Sequence, residues 1–383
     1  MYNEGLTVII PIHHGRQYME QCFLSLNRQS LDPSKFEVLL VFNGDFREDL
    51  AYFNSTKRKY HFNYLIYTTP VASAGHARNI AIGHAAFSHT TFIDIDDYIS
   101  TNYLESMYTH LENRTVVINS IMDVIEGKKT SSLLAEKLQS YTDLYSIHQP
   151  LTITVCKAIP TDLIKQHRFV SEMKSGEDVV FFVDFFTRHK VTLHINHDAY
   201  YYRVKTAESV SRQKLSYDFN IKQRLKSYQE LNKLLTDPYP RTNTRLIKTK
   251  INAQNIFILN YLKEYPEDYN KVMAQFTKYH FQHVNTNNIT YELINQQFLE
   301  LVKEYPVRFT SRADVPSIIS SYLYKLLNPD CHWTCDIQDY VAFSVTLPDI
   351  LYQSLGHHDE TADKLYAFIE GAADEIKSTS SIK

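Results

Sequence analysis

The run from Leu6 to Ile12 (Leu-Thr-Val-Ile-Ile-Pro-Ile) most constrains what this chain folds into. It is apolar and β-branched without alternation, so it has no polar face to offer water and must be covered on both sides. Such a strand belongs to a parallel-type sheet with a helix layer on each face. The following segments supply those layers. Met19, Cys22, Phe23 and Leu26 recur at helical spacing, and Phe36 to Phe42 is a second buried-type strand. Phe62 to Tyr67 reads as a third strand, Ala77 to Phe87 as a helix and Thr91 to Ile95 as a fourth strand. The expected fold class is α/β, a Rossmann-like, mainly parallel sheet flanked by helices.

Glycine marks a change of architecture. Only nine of 383 residues are glycine, and none lies between Glu177 and Leu355, as expected of a helix-rich stretch. Helical patterns cover Ile221 to Leu235, Arg245 to Glu264, Asp268 to Phe281, Tyr291 to Glu304, Val315 to Leu327 and Thr361 to Ile376. The expected organisation is an α/β domain over 1–214 and a helical C-terminal domain over 215–383. The look-alike segments Tyr261 to Pro266 and Leu301 to Pro306 are too few to make a repeat.

A formal charge of −3 gives no basic footprint, so nucleic acid is not an expected partner. The four cysteines show no disulfide spacing, and Cys331 and Cys335 around His332 lack the second ligand pair of a structural zinc site. No signal segment and no apolar run of about 20 residues is present. A reducing, cytoplasmic setting is expected, with at most peripheral contact at the inner face of the cell membrane.

Sheets of this kind bind ligands at the carboxyl ends of their strands. His13-His14-Gly15 follows the first strand, Asn43-Gly44-Asp45 the second, and Asp94, Asp96 and Asp97 close the fourth. Strand alternation places Asp94 and Asp96 on one side, with Asp97 opening the turn. Crowded carboxylates are unfavourable unless a cation offsets them, and oxygen ligands suit magnesium or manganese. The same acids can instead cap a helix from Ser100 onward.

Taken in order, these segments resemble family 2 glycosyltransferases of the GT-A fold, inverting enzymes. The likeness rests on Thr7 to His13, on Gly75-His76-Ala77-Arg78-Asn79, on the Asp-x-Asp segment Asp94 to Asp96, on Gly176-Glu177-Asp178, and on Tyr200 to Arg203 with Ser209 to Arg212. It implies a GT-A-type sheet and transfer of a sugar from a nucleotide-sugar, with uridine as the expected base, to an acceptor hydroxyl. Pro11, Ile12, His13 and Asn43 would meet the nucleotide, and Arg78, Asp94, Asp96, Asp97 and Arg212 the rest of the donor. Asp96 would hold a divalent metal, manganese or magnesium, and Asp178 would be the catalytic base. Glu177, Lys157 and His197 are auxiliary candidates: Lys157 lies where the family lines its acceptor pocket, and His197 lies where some GT-A enzymes carry a metal-binding histidine.

Two departures from the family pattern stand out. His13 and His14 replace an aromatic and an asparagine, and Phe42-Asn43-Gly44-Asp45 replaces Asp-Asp-Gly-Ser. A degenerate binding or assembly subunit therefore stays open as an alternative, as does a nucleotidyltransferase, although the first loop lacks a glycine-rich phosphate cradle. Composition rich in Tyr, Asn and Lys points to a bacterial source. The expected acceptor is then a glycan, lipid-linked or polymeric component of the cell surface, such as capsule or teichoic acid. Membrane or homo-oligomer contacts would fall to the C-terminal helices.

Overall fold

The computed structural model describes residues 2–139, 141–144, 146–205 and 215–279. The chain divides into two compact units, Met1–Gln254 and Asn255–Lys383. In the first unit the described residues form one nine-stranded sheet. Its parallel half comprises β1 (Asn3–Ile12), β2 (Phe36–Asn43), β3 (Tyr64–Thr69) and β4 (Phe87–Phe92), in the order β3-β2-β1-β4. Gly5 to Ile12 of β1 are all buried, as a run without a polar face requires.

The crossovers between these strands carry α1 (Met19–Asn27), α2 (Arg47–Thr56) and α3 (Ala74–His84). Met19, Cys22, Phe23 and Leu26 of α1 face the sheet. Phe23 meets Phe53, Tyr60 and Phe62 edge-on, with ring centroids 5.8, 5.0 and 5.9 Å away. Phe62 is thus engaged in this cluster ahead of β3, and the third strand begins at Tyr64.

The second half of the sheet makes it mixed. It holds β5 (Tyr98–Ile99), β6 (Thr115–Ile125), β7 (Lys128–Ser131), β8 (Lys157–Pro160) and β9 (Thr192–Lys205). β8 runs antiparallel between β4 and β6, β9 runs parallel to β6, and β5 and β7 pair antiparallel with β9 and β6. Short helices connect these strands: α4 (Tyr103–Tyr108), α5 (Leu133–Gln139), α6 (His148–Thr152) and α7 (Thr161–Ile164). The longer α8 (Glu177–Arg188) buries Val180, Phe181, Phe182, Val183, Phe185 and Phe186.

Two expectations shift. The fourth strand ends at Phe92, because the Asp97 N–H bonds the Asp94 carbonyl at 3.0 Å and folds the acids into a turn. The single helix expected from Arg245 to Glu264 is two, α10 (Thr244–Ala253) after α9 (Gln223–Thr236), then α11 (Asn255–Glu264) in the second unit. Gln254 marks the break: its amide donates to the Lys250 carbonyl at 3.1 Å and accepts from Arg224 at 3.2 Å.

Both α9 and α10 pack on α8, burying Leu225, Tyr228, Leu231, Leu246, Ile247 and Ile251. The boundary expected after residue 214 therefore lies inside the first compact unit. In the second unit α11 is followed by α12 (Tyr269–Tyr279). The helices expected at 291–304, 315–327 and 361–376, with Cys331 and Cys335, lie outside the described residues. Among the described residues no helix is long and apolar enough to cross a membrane.

Burial of those α9 and α10 side chains is worth about 1.5–3 kcal/mol each, so α8 depends on them. A fragment ending at Gln254 should unfold in a single cooperative urea transition. One ending at residue 214 should lose cooperativity and bind a hydrophobic dye; equal cooperativity of the two would contradict the packing.

Candidate active site

The site is assembled at the carboxyl ends of β1, β2 and β4 and at the head of α8. Pro11 and Ile12 are buried strand residues paired with β2, and Ile12 is 0% exposed, so neither offers a side chain to a ligand. His13, exposed, donates from Nδ1 to the Asn43 carbonyl at 2.9 Å, which fixes its tautomer and joins the β1 and β2 ends. Gly44 permits this contact. Its φ is +73°, and a Cβ there would stand 2.7 Å from His13 Cε1. Asn43 is buried, and its Oδ1 has no hydrogen-bond partner among the described residues. An amide oxygen without a partner can accept from an N–H.

Arg78 is the hub. It is 5% exposed, and its Nη2 meets Asp94 Oδ1 at 2.8 Å while its Nη1 meets Glu177 Oε1 at 3.2 Å. Burial works against its charge, but Asp94 and Glu177 overcome this and hold its pKa above the ordinary value. Both terminal nitrogens are engaged, so Arg78 positions the turn and α8 rather than reaching out to a ligand. Its neighbour supports this. Asn79 donates to the Phe169 carbonyl and accepts from the Phe169 N–H, both at 2.8 Å, which fixes the loop leading into α8. Ser73 caps α3 by accepting from His76 N–H at 3.2 Å, and donates to the Ser171 carbonyl at 2.7 Å.

The three acids of the turn have separate tasks. Asp97 is buried, and its two oxygens accept from the Tyr201 hydroxyl and the Val204 N–H, each at 2.7 Å. Tyr201 also accepts from the Asp94 N–H at 3.1 Å, so one hydroxyl clasps both ends of the turn. Asp97 is thereby structural. Asp94, engaged by Arg78 through one oxygen, keeps the other open. Asp96 has no hydrogen bond or ion pair from another described residue. Burial first, and then the charge of Asp94, push its pKa up to about 6.

That strain fits a cation. Among the described residues no three His, Cys, Asp or Glu side chains form a complete cage. Asp96 would then supply one ligand and phosphate oxygens others, a common arrangement for magnesium.

Gly176, at φ +83° and ψ +5°, turns the chain into α8, and a Cβ there would lie 2.7 Å from Ser227 Oγ. Glu177 and Asp178 occupy the first turn, where the helix dipole favours acids. Asp178 keeps some solvent contact while protein surrounds its carboxyl. That enclosure first, and the Glu177 charge second, raise its pKa to about 7 despite a hydrogen bond from Val179 N–H at 2.7 Å.

The remaining candidates fall elsewhere. Lys157, expected at an acceptor pocket, is 0% exposed and donates to the carbonyls of Pro150, Ile153 and Val155. It is a core clamp, out of an acceptor's reach. His197 is exposed at the irregularity of β9, and Arg212 lies outside the described residues.

Sequence reasoning missed Asp49, which accepts from the Gly15 and Arg16 N–H groups at 3.2 and 3.1 Å and holds the first loop. It also missed Arg224, which donates to Ser175 Oγ at 2.6 Å just before α8. Neither stands in a motif, and each acts across a gap in sequence.

Residues 7–160 match the model of glycosyl transferase family 2. A poly(ribitol-phosphate) β-glucosyltransferase of Bacillus spizizenii is 26% identical over 206 residues, 52% of this chain and 32% of that protein. The poly(ribitol-phosphate) β-N-acetylglucosaminyltransferase TarS of Staphylococcus aureus is 24% identical over 202 residues, 52% of this chain and 35% of that one. The chain thus aligns with about a third of each relative's length. The structure of S. aureus TarS 1–349 with UDP-GlcNAc covers 87% of this chain and 94% of its own, with a TM-score of 0.52 and 18% identity, a likeness of fold.

Replacing Tyr201 by Phe removes both bonds to the turn and leaves buried Asp97 under-satisfied, a loss of about 1–3 kcal/mol. Urea unfolding should show that loss. A change below about 0.5 kcal/mol would mean that the hydroxyl does not hold the turn.

Proposed function

We propose, from the family 2 glycosyltransferase domain that residues 7–160 form, that this chain transfers a sugar with inversion from a UDP-sugar to a hydroxyl of a phosphate-linked cell-surface polymer. One observation supports the reading: buried Arg78 ties the acid turn after β4 to the head of α8 through Asp94 and Glu177, the neighbours of Asp96 and Asp178 in the chain. The solved relative bound to UDP-GlcNAc and the relatives acting on poly(ribitol-phosphate) support the donor and acceptor classes.

In this mechanism Asp178 accepts the proton of the acceptor hydroxyl. That oxygen forms a bond to the anomeric carbon on the face opposite the diphosphate, and the breaking C–O bond leaves its electron pair on the nucleoside diphosphate. One displacement inverts the centre. Asp94 holds the donor ribose, and Asn43 Oδ1 accepts from the base. A divalent ion, manganese or magnesium, with Asp96 as its protein ligand, stabilises charge on the leaving diphosphate when bound. The diphosphate departs without a general acid, unlike the sugar oxygen released by glycoside hydrolases.

Asp178→Asn should retain UDP binding and lower transfer by about 10²–10⁴-fold, and full activity in that variant would remove the base assignment. The pH profile has a definite sign. A carboxyl with its pKa raised to about 7 is protonated below that pH, so kcat/KM should fall toward tenfold per unit below pH about 7 and level off above it. A flat profile between pH 5 and 8 would contradict it. Asp96→Asn should abolish the manganese dependence of UDP binding in calorimetric titration. Binding that responds equally to manganese in the variant and the parent would remove the metal assignment.

A further inference from the structure

β9 divides its tyrosines between two faces. Tyr201 is buried and clasps the acid turn, so strand alternation sends Tyr200 and Tyr202 to the opposite face. There Tyr202 meets Tyr98, its cross-strand partner on β5, with ring centroids 4.8 Å apart and planes 25° from parallel. Tyr200 stands 6.2 Å from Tyr202 at the same tilt. The Lys129 ammonium of β7 lies 4.0 Å from the Tyr202 ring centroid. A row of three rings and a cation thus runs from β5, the strand that follows Asp97, to β7, whose residues are all exposed.

Cross-strand stacking accounts for the rings, but it leaves polar groups over. All three tyrosines are half-buried, and none of their hydroxyls has a hydrogen bond among the described residues. Lys129 and its neighbour Lys128 are exposed and have no ion pair among the described residues. Asp123 on β6 does not answer them, because Arg203 at 2.7 Å and Lys205 at 2.5 Å already engage its two oxygens. Residues 122–131 and 200–205 hold Lys128, Lys129, Arg203 and Lys205 against Asp123 and Glu126, a surplus of two positive charges (4 − 2) in a chain whose net charge is −3.

We propose that Tyr98, Tyr200, Tyr202 and Lys129 form a docking platform for the acceptor polymer, holding a phosphodiester-linked polyol repeat that does not itself react. The inference rests on the proposed polymer-directed transferase. The phenol O–H groups donate to polyol hydroxyls, and the rings pack on its C–H groups. Lys129 and Lys128 supply the countercharge of a phosphodiester, and such charge-assisted contacts are stronger than neutral ones. Asp97 precedes Tyr98 directly and accepts from the Val204 N–H two residues beyond Tyr202, so the platform starts beside the acid turn. A platform outside the reacting centre favours a chain that spans both places and adds nothing for a single repeat.

The test is titration calorimetry of the full chain, with UDP and manganese present, against a synthetic hexamer of D-ribitol phosphate, D-ribitol 5-phosphate and a linear polyphosphate of six phosphates. The hexamer should bind at least about tenfold more tightly than the single unit, above the roughly sixfold that six equivalent repeats give by number alone. A smaller ratio overturns the proposal, and that comparison does not depend on any variant folding. Lys129→Glu, at an exposed position, should remove at least about tenfold of the hexamer affinity and leave UDP and D-ribitol 5-phosphate binding within about twofold of the parent. Unchanged hexamer binding in that variant overturns the proposal. Polyphosphate binding as tightly as the hexamer also overturns it, since the strip is then a surface for any polyanion. Release of UDP from UDP-sugars is measured separately: its absence counts against the proposed transferase, and the hexamer titration still decides the platform.

Discussion

The buried guanidinium of Arg78 is the constraint on which the site depends. It lies between Asp94 on the turn after β4 and Glu177 at the start of α8, elements 83 residues apart in the sequence (177 − 94). Asp94 and Glu177 together, with Asp178 nearby, outweigh the desolvation of the cation. Losing a partner of a buried charge is costly, typically about 3–5 kcal/mol when the charge is left uncompensated. Asn79, adjacent on α3, adds the reciprocal bonds to Phe169 that fix the approach to α8.

From that anchor follows the division of labour among the acids. Asp97 is held by Tyr201 and Val204 of β9, Asp94 by Arg78, and Asp96 is left without a partner. Burial and neighbouring carboxylates raise all three of Asp96, Asp97 and Asp178, and Asp96 and Asp178 come to about 6 and about 7, near the range where a metal ligand or a general base is useful. Arg224, contributed by α9, donates to Ser175 just before α8, so this helix belongs to the site as well as to the fold of the first unit.

Much of this was legible in the sequence, for identifiable reasons. Continuous apolar runs marked β1 and β2 because strands buried on both faces leave no other pattern, and Arg78, singled out in the sequence, pairs with Asp94 and Glu177. The antiparallel half of the sheet was harder to see: β8 is four residues long, Lys157-Ala-Ile-Pro, and its lysine reads as a surface charge although it clamps three carbonyls inside. The clasp between Tyr201 and Asp97 spans 104 residues and leaves no local signature. Lys250 was passed over for a similar reason, since a single lysine on a helix is ordinarily solvated and only its packing on α8 shows otherwise. The break at Gln254 lacks glycine or proline, which left α10 and α11 looking like one helix.

The central claim is a single displacement, with Asp178 as base, on a sugar held by its diphosphate. The anomeric proton coupling of the product, read by NMR after transfer from an α-linked UDP-sugar to a phosphorylated polyol, tests it most directly. The account predicts a β-linked product with the large coupling of an inverted centre. An α-linked product would show retention and contradict it.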